Sequence, residues 1–124
     1  MQITNIRYLA KEDICVIELS GKINFDTLSS LFSLAVKRGQ LKSSYRKFLI
    51  LDDGIEETND HSTVGSIEKL HIEHDSEFAG AKVAFVLHDL RSHARVQTLR
   101  KKFTNTLKQT FTSEEDAMLW LKNL

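Results

Sequence analysis

The chain contains no proline, one cysteine and five glycines, and its 17 lysines and arginines equal its 17 aspartates and glutamates. Without proline, glycine is the main punctuation left to mark turns and helix ends. A lone cysteine closes no intrachain disulfide. Cys15 stands in the apolar run Ile14-Cys-Val-Ile17 and reads as a small buried hydrophobe, which suits a reducing compartment. Zero net charge removes the simplest argument for nucleic acid or an anionic membrane as partner. No segment approaches the ~20 apolar residues of a membrane-spanning helix, and Met1 to Arg7 lacks a basic region followed by an apolar run. Repeats, low-complexity tracts and Gly/Ser linkers are also missing. The expectation is a soluble cytoplasmic protein with one domain over residues 1–124, a size that buries about two-thirds of the unfolded surface.

What is present is a regular succession of apolar patterns. Ile3, Ile6 and Tyr8 suggest a strand, Lys11-Glu-Asp13 a tight turn and Ile14 to Leu19 a second strand, together a hairpin. Leu28, Leu31, Phe32, Ala35 and Val36 share one helical face, with Asn24 or Asp26 as N-cap and Gly39 as the stop. Lys47-Phe-Leu-Ile-Leu-Asp52 reads as a central strand buried on both faces, followed by a polar connection from Asp53 to Asn59. A helix is expected from about Ser62 to His74, then a strand over Ala81 to Leu87. The next helix starts near Asp89 or Ser92 and buries Val96, Leu99 and Phe103, before a short Thr110-Phe111 strand. The last helix has two overlapping capping boxes, Thr112 with Glu115 or Ser113 with Asp116, and an apolar side of Ala117, Leu121 and Leu124 with Trp120 in the core. The fold class is α/β, a mixed sheet with an N-terminal β-hairpin and helical crossovers in the order ββαβαβαβα.

That order resembles the STAS domain, the sulfate-transporter and anti-sigma-factor-antagonist family. The stretch from Phe111 to Leu121, a strand followed by an acidic helix start and Ala-Met-Leu-Trp-Leu, is most similar to its SpoIIAA-like branch. The family signature runs from an apolar strand ending Leu-Asp to an Asp-Ser-Ser-Gly-Leu-Gly helix start whose second serine is phosphorylated in anti-sigma-factor antagonists. Leu51 and Asp52 match the strand end, Asp60 the motif aspartate, Ser62 the phosphoacceptor, and Val64 and Gly65 the Leu-Gly. His61 replaces the first serine, Thr63 replaces the glycine, and Ile55 to Asn59 is acidic where the family is apolar. The resemblance implies a noncatalytic regulatory module that docks a protein through the connection after Asp52 and the helix near Ser62. The alternative it carries is an apolar-ligand or lipid carrier, because SpoIIAA-like domains resemble the CRAL-TRIO lipid-transfer fold. The residues themselves give Ser62 two readings. An N-cap is the ordinary role of a serine at a helix start, and a phosphate there would face unpaired N–H groups while repelling an acidic partner.

Other groupings in the chain carry side chains capable of chemistry. Of five histidines, His71 and His74 lie three apart on the expected helix, but no cysteine pair or His-Glu-x-x-His supports a metal site, so surface histidines are the preferred reading and no metal or cofactor is expected. Asp52 and Asp53 end a strand where α/β sheets place ligands, with His88 as the expected neighbour on the next strand. Ser62, His88 and Asp52 form a conceivable trio, but no phosphate loop or nucleophile elbow accompanies it, so no enzyme is expected. Asp52, Asp53, Asp60, His61, Ser62, Thr63 and His88 are thus the candidate partner- or ligand-binding residues. Nine acids between Asp52 and Glu77 face Lys69 alone, whereas Arg91, Arg95, Arg100, Lys101 and Lys102 crowd the following helix. Solvated faces that partly neutralise each other are the preferred account of such segregation, with docking or self-association as alternatives; contact of the basic helix with an anionic lipid surface competes with the core for Val96, Leu99 and Phe103. Nucleic acid is not expected, since no aromatics interleave with these basic residues.

Overall fold

In the computed structural model, which describes residues 2–22, 25–42, 44–56, 76, 78–88 and 90–123, the apolar alternation forms one five-stranded sheet. β1 (Gln2–Leu9) and β2 (Ile14–Lys22) are an antiparallel hairpin. The Tyr8 hydroxyl donates to Asp13 across its turn, and Asp13 takes φ 56°, a left-handed conformation that Asp tolerates. β3 (Lys47–Glu56), β4 (Lys82–Val86) and β5 (Leu107–Phe111) then add in parallel to β2, in the spatial order of the sequence.

The described helices are α1 (Phe25–Lys37), α2 (Leu90–Lys102) and α3 (Glu114–Lys122). α1 stops at Gly39, whose φ of 75° is strained for any residue with a Cβ, while Gln40 N–H returns to the Ala35 carbonyl at 2.9 Å. Successive parallel strands joined by right-handed crossovers put their connecting helices on one face. There Cys15, Ile17 and Phe48 of the sheet pack with Ala35 of α1 and with Leu41 and Ala81. α3 covers the opposite face, where Ala117 and Leu121, both 0% exposed, close over Ile14, Val16, Leu49, Ala84 and Val86. Burying each valine, leucine, isoleucine or phenylalanine among these contributes about 1.5–3 kcal/mol and each alanine less, so the two layers bind the sheet from both sides.

The described elements follow the order expected from sequence, and the differences are local. β3 does not end at Asp52. It continues to Glu56 because, after a register shift between Leu19 and Gly21, Ile55 and Glu56 pair with Gly21 and Lys22 of β2. β5 begins at Leu107 rather than Thr110, paired throughout with β4. Ser113, not Thr112, caps α3: its Oγ accepts from the Asp116 N–H at 3.3 Å. Val36 is 40% exposed rather than buried, because Ala35 and Phe32 occupy the face of α1 that meets the sheet. Trp120 is half-buried at the edge of the α3 layer, 5.8 Å from the Phe111 ring and with the Lys82 ammonium 5.1 Å from its own ring centre. The expected helix over 62–74 lies outside the described residues.

Candidate functional site

Parallel strands end together, so their carboxyl edge gathers residues distant in sequence. Glu18 of β2 is in register with Leu51 of β3, Leu51 with Val86 of β4, and Val86 with Phe111 of β5. At this edge a solvent-open cleft of about 320 Å³ is lined by Glu18, Leu51, Asp52, Val86, His88, Thr112 and Glu114. Leu51 and Val86 form its apolar floor, and three carboxylates and an imidazole stand around it.

Each polar group arrives by a different local route. Glu18 lies on β2 and meets the Arg7 guanidinium of β1 at 3.5 Å, a partly exposed pair (47% and 24%) of the kind that contributes under about 1 kcal/mol. Asp52 is the residue at which the apolar run of β3 turns polar. His88, exposed, follows β4, and the connection there is anchored by His93 of α2, whose Nε2 donates to the Leu87 carbonyl at 3.3 Å. Thr112 and Glu114 flank the Ser113 cap, so the acidic first turn of α3 meets the positive end of its own helix dipole at the cleft.

Of the residues expected to form a site, Asp52 and His88 line this one cleft. Asp53 has its backbone in β3 beside them. Asp60, His61, Ser62 and Thr63 lie outside the described residues, as do His71 and His74. Among the described residues, no group of three His, Cys, Asp or Glu side chains is placed to hold a metal ion, and no helix is long and apolar enough to cross a membrane. Glu18, Thr112 and Glu114 were not anticipated. Alternation from Ile14 and Val16 puts Glu18 on the face that α3 covers, and Thr112 and Glu114 belong to the start of α3; their meeting depends on strand register.

Two groups away from the cleft have displaced pKa values. Burial pushes the Cys15 thiol up to about 11, and its Sγ lies 3.9 Å from the Gln40 carbonyl. The hydrogen bond to Asp13, with smaller help from desolvation and nearby charge, pushes Tyr8 up to about 12. Neither belongs to the cleft, so they bear on stability.

No family model and no curated protein matches the chain. Among solved structures it is similar to an uncharacterized protein of the DUF3478 family with a SpoIIAA-like fold from Shewanella loihica PV-4. The two are 18% identical, with 94% of this chain and 90% of that chain covered and a TM-score of 0.66. At that identity the likeness speaks for the fold, and the fold of this chain is SpoIIAA-like.

Proposed function

We propose that this chain is a noncatalytic regulatory module that docks a protein partner at the carboxyl edge of its sheet, through the segment after β3 and the helix expected near Ser62. The observation that carries the reading is the cleft: solvent-open, with Glu18, Asp52 and Glu114 around a small apolar floor. Three carboxylates favour a partner segment bearing lysine or arginine, and they steer its approach as well as holding it. An enclosed apolar lining, which an acyl chain requires, is not what this cleft offers, so the docking reading is preferred to the lipid carrier. Ser62, by its resemblance to the phosphoacceptor position, is the residue through which such docking would be switched, since a phosphate adds roughly −1.5 to −2 charge beside acidic groups.

The test compares affinity-captured partners of the wild type with those of Asp52→Lys, His88→Ala and Ser62→Asp. A specific partner should be recovered with the wild type, reduced about tenfold or more by Asp52→Lys and increased by Ser62→Asp, whose added negative charge attracts a basic segment, with circular dichroism unchanged. Equal recovery with all variants would refute the docking edge.

A further inference from the structure

Zero net charge conceals a polarity along the strand axis. Helices that connect parallel strands run back against them, so the C-termini of the helices gather at the amino edge of the sheet and their N-termini at the carboxyl edge. At the amino edge α1 ends in Lys37, α2 in Lys101 and Lys102, and α3 in Lys122. The strands add Lys47 and Lys82 at the starts of β3 and β4, so these cations outnumber Glu12 and Asp13 in the turn before β2. At the carboxyl edge, α3 opens on Glu114, Glu115 and Asp116, beside the Asp52 cleft. Some cations at helix C-termini only complement the dipole. Here the strand starts contribute as well, and α2 contains no acidic residue from Leu90 to Lys102.

Distance decides whether the two edges cancel. Lys47 to Asp52 along β3 spans about 17 Å at ~3.3 Å per residue, and Glu114 to Lys122 along α3 about 12 Å at ~1.5 Å per residue. Screening at physiological salt acts over about 8 Å. A partner at one edge therefore meets that edge's charge and not the sum. Each edge also exposes a leucine: Leu107 at the start of β5 is 58% exposed, and Leu90 at the start of α2 is 88% exposed.

We propose that the basic amino edge of one molecule docks on the acidic carboxyl edge of a second copy, head to tail, pairing these charges and covering Leu107 and Leu90. This rests on the docking reading above and names a partner for that edge. An anionic lipid surface or a nucleic acid would answer the basic edge alone, leaving the carboxylates and Leu90 exposed; a second copy answers both. The contact joins two different surfaces, so repetition builds a chain or a closed ring rather than a two-fold dimer.

Sedimentation velocity of the full chain tests this. At about 0.01 M salt, where screening reaches ~30 Å, the average mass should rise with protein concentration, and at about 1 M salt, where it reaches ~3 Å, the monomer should return. Lys101→Glu with Lys122→Glu weakens the basic edge and leaves the acidic one intact, and Glu114→Lys with Glu115→Lys weakens the acidic edge and leaves the basic one intact. Each variant alone should remain monomeric and the two should associate when mixed. Leu107→Ser, at an exposed position that spares the core, should weaken association by itself. A wild type that stays monomeric at low salt would overturn the proposal, as would variants that associate undiminished or fail to associate on mixing. A monomeric wild type that sediments with phosphatidylserine vesicles would overturn it in favour of a lipid surface. Monomeric wild type with partner loss in Asp52→Lys refutes only the second copy as partner, whereas unchanged partner recovery in Asp52→Lys refutes the docking edge.

Discussion

Lys108, 4% exposed, places its ammonium 2.9 Å from the carbonyl of Phe103, the residue after α2 ends, and donates also to the Thr106 hydroxyl. A cation at this point meets the negative end of the α2 dipole and satisfies a terminal carbonyl. Lys108→Met keeps the aliphatic stem and removes the donor. It should cost about 1–3 kcal/mol, the usual cost of leaving a buried acceptor unmet, measured by urea unfolding. An unchanged midpoint would mean that water caps α2 equally well.

The two capping boxes of the last helix are separable by mutation. Because Ser113 Oγ accepts from Asp116 N–H, Ser113→Ala should cost about 1 kcal/mol in the same measurement. Thr112→Ala should leave stability nearly unchanged and alter only the cleft wall.

Leu121 is 0% exposed and fills the space between α3 and the sheet. Leu121→Ala should destabilise by about 2–5 kcal/mol, the range for a leucine whose cavity cannot collapse. Trp120 is the only tryptophan, so its fluorescence, set by Phe111 and the Lys82 ammonium, reports the release of α3 directly.

Alkaline pH should weaken the fold in a defined window. Cys15 and Tyr8 have folded-state pKa values raised to about 11 and about 12, so the folded chain holds its protons where the unfolded chain gives them up. Their stabilisation is fully present below the unfolded values, near pH 9 and 10, and is lost as pH rises through 11 and 12. Denaturant unfolding from pH 8 to pH 11 should show a decline that Cys15→Ala makes shallower. At neutral pH, the shift alone should slow modification of Cys15 by a disulfide reagent about 100-fold against an open thiol, because the thiolate is the reacting form.

Element order and core faces were readable wherever apolar spacing was strict. Cys15 and Ile17 fall on one face and Val16 on the other by alternation alone, and Ala117 and Leu121 share a helical side. The tail of β3 was not readable, because Asp53, Gly54 and Glu56 have the composition of a turn and become strand only by pairing with Gly21 and Lys22. Asp52 and His88 could be named as neighbours since both follow apolar strand runs. Glu18 and Glu114 could not: parallel register and the return of α3 bring them to the cleft, and neither leaves a local mark.

The α3 layer also constrains how the chain matures on the ribosome. Ile14 and Val16 are covered on that face by Ala117 and Leu121, about a hundred residues later. At roughly 5–20 residues per second, this surface waits some 5–20 s for its cover during synthesis. Until then the face formed by Ile14, Val16 and Leu49 lacks its α3 cover and is open to other nascent chains.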